Sequence, residues 1–245
     1  MEAPVLAAIA GAVFVAAGVQ GVLGFGFGLV AVALIPLIVG VKAAVPMIAV
    51  FALAVNGVLV ARFWRDVPMH AAAPLLGSAV VGLPLGVWLL RSLDPAVLFI
   101  ALGVLVGGYV ANTLLRREQS AELGATWGGA LGFAAGVLGG AFTTPGPPAV
   151  VWVSSKPWSP SQLRATLFLL FGGCAALQLG LFVATDMLTR DALLAGAVGL
   201  PAGALGSLTG AKLGDRIDPA VFKKLMLIAL AVVAVQFVIK GARGL

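Results

Sequence analysis

Cysteine and histidine are almost absent from this sequence. Cys174 is the only cysteine and His70 is the only histidine. A single cysteine cannot form a disulfide within the chain, and one residue of each kind cannot build a cysteine–histidine metal cluster or a catalytic triad. The sequence therefore predicts no resident metal, no cofactor and no enzymatic activity.

Charged residues are also scarce, at 10% of the chain, whereas 61% of the residues are hydrophobic and the mean hydropathy is +1.13. A soluble domain carries about a quarter charged residues, and one core cannot bury so much apolar surface. Continuous apolar runs without strand alternation predict membrane-spanning helices. Because the basic residues stand singly or in pairs between these runs, the net charge of +6 indicates membrane topology signals rather than nucleic-acid binding.

Charges and Pro/Gly breaks divide the sequence into eight apolar blocks. Six of them have the length of one span, but the first (4–40) and the fifth (123–155) are too long for a single membrane helix. The first is interrupted by a glycine-rich stretch at 21–28, and the fifth by Thr143-Thr144-Pro145-Gly146-Pro147-Pro148. Since glycine and proline at this density break helical hydrogen bonding, each long block is predicted to be a broken or re-entrant helix pair.

The two halves of the sequence resemble each other. Each half has a long broken block followed by three single spans, and three short motifs recur in order. The pairs are Gly21-Val-Leu-Gly-Phe25 with Gly129-Ala-Leu-Gly-Phe133, Gly82-Leu-Pro84-Leu-Gly86 with Gly199-Leu-Pro201-Ala-Gly203, and Leu93-Asp94-Pro95-Ala96-Val97 with Ile217-Asp218-Pro219-Ala220-Val221. We predict an all-α polytopic membrane protein of eight to ten crossings, with a first repeat (1–117), a cytoplasmic linker (118–124) and a second repeat (125–245).

The distribution of basic residues predicts that the second repeat is inverted. If both long blocks enter and leave on the same side, ten of the 15 lysines and arginines lie on one side of the membrane, which the positive-inside rule makes the cytoplasm. Lys240 and Arg243 near the C-terminus count against this arrangement.

Broken helices in inverted repeats are typical of secondary transporters, which bind substrate near the middle of the membrane. Half-helix N-termini and threonine hydroxyls favour an anion, and a cationic substrate is disfavoured because all nine carboxylates lie at block ends or in loops. Three further polar residues, Asn56, Arg164 and Gln178, lie in the spans that follow the broken blocks. The predicted substrate-binding residues are Gly24, Gly26, Gly28, Asn56, Thr143, Thr144, Gly146, Arg164 and Gln178.

These residues also have structural interpretations. Glycines permit close helix packing, and buried amides tie helices together. Arg164 is explained equally well by snorkelling to the membrane surface. The functional interpretation is favoured at Thr143-Thr144, because the proline-rich stretch that follows cannot continue a helix.

The sequence resembles the sulfite exporter TauE/SafE family, also called the 4-toluene sulfonate uptake permease family, over nearly the whole chain. The resemblance rests on 21–28 followed by Pro36, and on 132–140 leading into Pro145-Gly146-Pro147-Pro148 and Arg164-Ala-Thr166. It implies a multi-pass carrier of sulfur-containing anions, such as sulfite, thiosulfate and sulfoacetate, in the bacterial inner membrane. It also implies that Arg164 corresponds to an arginine in the family's pattern for the second half. The sequence departs from that pattern at Phe25, Phe27 and Thr143-Thr144, where many members have more glycine.

These observations predict a secondary carrier of small sulfonates or sulfur oxyanions that works by alternating access, with one half rocking against the other. Its predicted partners are the small anion and the lipid bilayer, with no nucleic acid; a homo-oligomer is left open. The alternative is an anion channel with the same site, and saturable flux with counterflow distinguishes the carrier from it.

Overall fold

The computed structural model of the chain describes residues 2–23, 26–115, 122–214 and 219–244. These residues form helices joined by short connections, with one 3-10 turn (Trp64–Asp66) and no β-strand. The all-α class is therefore confirmed for the described residues. The helices are α1 (Ala3–Leu23), α2 (Phe27–Val39), α3 (Val41–Phe63), α4 (Met69–Ser92), α5 (Pro95–Leu115), α6 (Ala125–Phe142), α7 (Gly146–Val153), α8 (Pro160–Ala184), α9 (Arg190–Gly214) and α10 (Pro219–Ala242).

Seven helices of the described chain are long and apolar enough to cross a membrane, namely α1, α3, α4, α5, α6, α8 and α9. Helix α2 and the second part of α10 are shorter apolar helices. The polytopic membrane class is thus confirmed, while the inverted orientation of the second repeat stays a prediction.

Both long apolar blocks are interrupted where glycine and proline accumulate. The first block is divided between α1, which ends at Leu23, and α2, which begins at Phe27. The second is divided between α6, which ends at Phe142, and α7, which begins at Gly146. Prolines inside α2, α3, α4 and α9 do not end those helices, because neighbouring groups in a bundle can satisfy the freed carbonyls.

The chain forms two compact units that do not coincide with the two halves of the sequence. Unit 1 comprises Met1–Met47, Ser92–Arg117 and Arg190–Leu245, and unit 2 comprises Ile48–Arg91 and Glu118–Thr189. Each unit therefore combines helices from both halves. The predicted repeat boundaries stay a prediction, since compactness does not test duplication.

In unit 1, glycines hold α1 directly against α9. A Cβ built on Gly206 would overlap the carbonyl oxygen of Phe14, and one built on Gly210 would overlap the carbonyl oxygen of Gly18. The backbones of the two helices are thus in contact, as in small-residue seams between membrane helices. The same unit pairs α5 with α10, where a Cβ on Gly103 would lie 2.9 Å from the Ala234 carbonyl oxygen.

In unit 2, glycines hold α6 against α4 in the same way. A Cβ built on Gly132, Gly136 or Gly140 of α6 would overlap a carbonyl oxygen of α4, and one on Gly82 or Gly86 would overlap a carbonyl oxygen of α6. In both units, therefore, the first helix of a broken block packs against the second single span of the other half.

This recurring pairing does not test the predicted duplication, which stays a prediction. The separation along the chain from Gly82 to Gly206 equals that from Gly86 to Gly210. The separation from Asp94-Pro95 to Asp218-Pro219 is the same. The third predicted match is thus consistent with the packing. The second match, which pairs Gly82 with Gly199, has a different separation along the chain and also stays a prediction.

The loop after α7 is fastened to the start of α6 by Lys156. Its Nζ lies 2.9 Å from Glu122 Oε1, 2.6 Å from the Leu123 carbonyl oxygen and 4.6 Å from the centre of the Trp152 ring. The Trp152 Nε1–H donates to the carbonyl oxygen of Gly124 at 3.2 Å. Together these contacts tie the two ends of the second broken block to each other.

We expect Lys156→Met to lower the thermal midpoint of the purified protein by a few degrees, because the cation–π and ion-pair contacts contribute about 1 kcal/mol in a partly screened setting. Lys224→Met, at an exposed position of α10, is the control and should leave the midpoint unchanged. Equal midpoints for the two variants would contradict this role of Lys156.

Candidate functional site

The second helix break turns at Thr143, which adopts a left-handed backbone conformation with φ 54°. Its N–H donates to the Gly139 carbonyl oxygen at 2.8 Å, and the Thr144 N–H donates to the Leu138 carbonyl oxygen at 3.3 Å. Positive φ is strained for a β-branched residue and costs about 1–3 kcal/mol. The surroundings must therefore hold the break in place.

The fully buried Gln178 of α8 provides much of that support. The Thr143 hydroxyl donates to Gln178 Oε1 at 3.0 Å, and Gln178 Nε2 donates to the Gly140 carbonyl oxygen at 2.8 Å. One amide thus bonds both to the last turn of α6 and to the residue at which the chain turns. It satisfies a carbonyl that has lost its helical partner.

The hydroxyl hydrogens of both threonines are engaged within the protein. Thr144 Oγ1 donates to the Phe142 carbonyl oxygen at 3.0 Å, and Thr143 donates to Gln178. The predicted role of these hydroxyls as donors to an anion stays a prediction, and it requires that these bonds be exchanged for bonds to the substrate.

Few backbone donors are available at the N-terminus of α7. An α-helix leaves its first four N–H groups without an intrahelical acceptor. At α7 these positions are Pro145, Gly146, Pro147 and Pro148, and proline has no N–H. Gly146 alone therefore provides such a donor, so this helix end is a poor anion site.

Helix α8 packs against both sides of the second break. A Cβ on Gly146 would lie 3.7 Å from Phe171, and one on Gly139 would lie 3.7 Å from Cys174. Cys174 also lines an apolar cavity of about 200 Å³ between α4 and α8. Apart from the Cys174 thiol and the backbone of Gly173, the walls of this cavity are hydrocarbon side chains, so it does not provide the polar contacts that an anion needs.

Asn56 is buried in α3 and packs near α8, where a Cβ on Gly172 would lie 3.6 Å from the Asn56 Cβ. Its Nδ2 donates to the Ala52 carbonyl oxygen at 2.8 Å, which fixes the orientation of the amide. The Oδ1 at the other end has no hydrogen-bond partner. This buried acceptor is suited to a hydrogen-bond donor, such as a water molecule or a protonated group.

Arg164 lies near the start of α8 with an exposed side chain. The structure does not bring it into the buried polar cluster of Thr143, Thr144 and Gln178, and its role toward substrate stays a prediction.

The first break lies in unit 1. Gly24 falls outside the described residues, Gly26 precedes α2 with φ 105°, and Gly28 lies in the first turn of α2. Glycine adopts this positive φ without a steric penalty. The other predicted residues, Asn56, Thr143, Thr144, Gly146, Arg164 and Gln178, all belong to unit 2.

Sequence reasoning did not select Gln20, which lies in the last turn of α1 and is 6% exposed. Its Nε2 has no hydrogen-bond partner. The one signal in the sequence is that a glutamine stands next to the glycine-rich break inside an otherwise apolar block.

The geometry at Thr143 yields a paired prediction. Thr143→Ala and Thr143→Gly both remove the hydroxyl, but only glycine relieves the cost of the left-handed backbone, which is about 1–2 kcal/mol. We expect the glycine variant to melt a few degrees above the alanine variant. A glycine variant that melts at or below the alanine variant would contradict the strain at this position.

The helices and their interruptions define the class: a multi-pass α-helical membrane protein with two broken membrane blocks. A family model described as sulfite exporter TauE/SafE matches residues 9–237. The chain belongs to this family, which confirms the resemblance seen in its sequence. Comparisons with curated proteins and with solved structures give no match.

Proposed function

We propose that the protein is a secondary carrier that moves small sulfur-containing anions, such as sulfite and sulfonates like sulfoacetate, across the bacterial inner membrane by alternating access. The observation that carries the proposal is the pair of helix interruptions within apolar membrane blocks. Backbone freed from helical bonding is tolerated at membrane depth only where it faces protein or a cavity, and carriers use it for binding. The family description supplies the sulfur oxyanion.

The placement of charge supports an anionic substrate. No carboxylate in the described part of the chain lies in the interior of a spanning helix: Glu2 precedes α1, four lie between helices or in the 3-10 turn, and Asp191 lies in the first turn of α9. Carriers of cations keep such a group within the membrane despite its cost. Neutral donors and helix N-termini favour an anion instead.

The packing bears on which parts of the protein move. The predicted rocking of one sequence half against the other would have to open the seam between α1 and α9 and the seam between α4 and α6. In both seams glycines allow backbone contact, so separating the helices would expose close packing along several turns. We therefore propose that each seam stays closed during transport and that the sequence halves do not move as rigid bodies.

A competition assay tests the substrate class. Purified protein in liposomes is given radiolabelled sulfite, and unlabelled sulfonates, sulfate and carboxylates are added in turn. We expect saturable uptake that sulfonates inhibit and carboxylates do not. Uptake that rises linearly with concentration would favour an anion channel, and labelled sulfite that enters no faster than into empty liposomes would remove sulfite as a substrate.

A further inference from the structure

We propose that the first helix break holds the substrate anion, through the side-chain amide of Gln20 and the backbone N–H groups at the start of α2. This assignment rests on the proposed anion carrier function and places its binding site in unit 1. It adds a binding residue outside the set that the sequence selects.

The N-terminus of α2 offers a full set of backbone donors. Its first intrahelical bond runs from the Val30 N–H to the Gly26 carbonyl oxygen at 3.0 Å. The α-helical pattern therefore leaves four N–H groups without an intrahelical acceptor, those of Gly26, Phe27, Gly28 and Leu29. None of these residues is proline, and together with the helix dipole such groups form an anion site.

Gln20 supplies the independent evidence for a ligand. It is 94% buried, and its Nε2 has no hydrogen-bond partner. A buried donor without a partner is unfavourable, and a bound acceptor relieves the cost. An oxyanion presents several acceptor oxygens and no positive charge, so it complements both the amide N–H and the helix N-terminus.

One contact within unit 1 brings the start of α2 to the residue that precedes Gln20 in α1. A Cβ built on Gly26 would lie 3.6 Å from Cγ1 of Val19, the neighbour of Gln20. The start of α2 thus contacts Val19, the residue before Gln20, and we infer that the Gln20 amide reaches the N–H groups of α2. Gly26 adopts a positive φ of 105° without a steric penalty and places no side chain beside the N-terminus of α2.

The two breaks therefore differ in chemistry although they correspond in the sequence. At the second break, three of the four N-terminal positions are proline and both threonine hydroxyls donate within the protein. At the first break, the N–H groups are all present and one buried side-chain donor is unused. The donors that an anion needs are thus concentrated at the first break.

Substitutions at Gln20 test the side-chain donor by binding. The melting temperature of the purified protein is measured with and without sulfite, sulfate, methanesulfonate, phosphate and chloride, and sulfite affinity is measured by calorimetry. We expect Gln20→Glu, which replaces the donor by a negative charge, and Gln20→Met, which removes it, to weaken sulfite binding about tenfold or more. Gln236→Met, at an exposed position of α10, is the control and should bind as the original protein does.

A proline exchange tests the backbone donors. Gly28→Pro removes one N–H and reproduces the proline at the equivalent position of α7, whereas Pro147→Ala restores an N–H at the second break. We expect Gly28→Pro to weaken binding by about tenfold and Pro147→Ala to leave it unchanged. Proline is accepted in the first turn of a helix, so the melting temperature without anion should change little in either variant.

Three results would overturn the assignment. Unchanged sulfite affinity in both Gln20 variants would remove the side chain from the site, and tighter binding in Pro147→Ala with no effect of Gly28→Pro would move the site to the second break. Absence of stabilisation by every anion of the panel would also reject the site. Uptake into liposomes is measured separately. Sulfite transport at the original rate in the Gln20 variants would reject this inference and leave the carrier function standing.

Discussion

Gly140→Ala is expected to destabilise the protein strongly, whereas Gly129→Ala on the same helix should leave it unchanged or slightly more stable. A Cβ on Gly140 would overlap the carbonyl oxygen of Leu83 and would lie 2.8 Å from the Val87 nitrogen, whereas a Cβ on Gly129 meets nothing within 4 Å. The neighbouring atoms at Gly140 are backbone atoms of α4, which cannot rotate away. The two helices must therefore separate to accept one methyl group.

The size of the effect follows from the loss of packing along the seam. Overpacking a close contact costs about 1–3 kcal/mol, and occasionally more, and a chain of this size loses about 2–4 °C of thermal midpoint per kcal/mol. We therefore expect Gly140→Ala to melt several degrees lower and Gly140→Val to yield little folded protein. Alanine is the better helix former by about 1 kcal/mol, so any change in the melting temperature of Gly129→Ala should be an increase.

The measurement is the melting temperature of both alanine variants, purified from membranes in the same detergent. Equal midpoints would contradict the account of the seam, because they would mean that α4 and α6 separate at no cost.

Gln178→Leu is expected to abolish transport, because it removes both bonds that the amide makes at the second break. The Gly140 carbonyl oxygen and the Thr143 hydroxyl would then be buried without these partners. Each such group costs about 1–3 kcal/mol, which is comparable to the strain that Thr143 already carries. We expect the turn between α6 and α7 to reorganise.

A double-mutant cycle separates this capping role from a general loss of stability. Thr143→Val, Gln178→Leu and the double variant are compared by melting temperature and by initial rate of sulfite uptake. Because the two side chains bond to each other, we expect the double variant to be less impaired than the sum of the single variants. Gln236→Leu on the exposed face of α10 is the control. Strict additivity, or normal uptake by Gln178→Leu, would contradict the capping role.

The features that were predictable from the sequence are those that depend on local chemistry. Apolar block lengths predict spanning helices, and clusters of glycine and proline predict both interruptions, since proline lacks an N–H and glycine is a poor helix former. The lack of backbone N–H donors at the start of α7 is also predictable from the sequence, because Pro145, Pro147 and Pro148 have no N–H in any structure. The sequence interpretation nevertheless favoured that break as the anion site.

The repeat register was harder to predict, because glycine–leucine pairs are common enough to match in several alignments. The match of Asp94-Pro95 with Asp218-Pro219 and the match of Gly82 with Gly199 imply different separations along the chain, and both stay predictions. Only contact with α1 identifies Gly206 and Gly210 as the seam residues.

The roles of the buried amides were beyond the sequence for a related reason. Gln20, Asn56 and Gln178 have the same chemistry and stand in similar apolar surroundings along the chain. What distinguishes them is whether each end of the amide finds a partner, and partners come from distant helices. Gln178 bonds at both ends, Asn56 keeps an unused acceptor and Gln20 an unused donor.

Counterflow of labelled sulfite tests the carrier function most directly. Liposomes containing the purified protein are loaded with unlabelled sulfite and diluted into a trace of labelled sulfite, with empty liposomes as the control. We expect transient accumulation of label above its equilibrium level, because outward-moving unlabelled anion returns binding sites to the outside. Label that only equilibrates, or that enters no faster than in empty liposomes, would contradict the proposal that this protein is a sulfur-anion carrier.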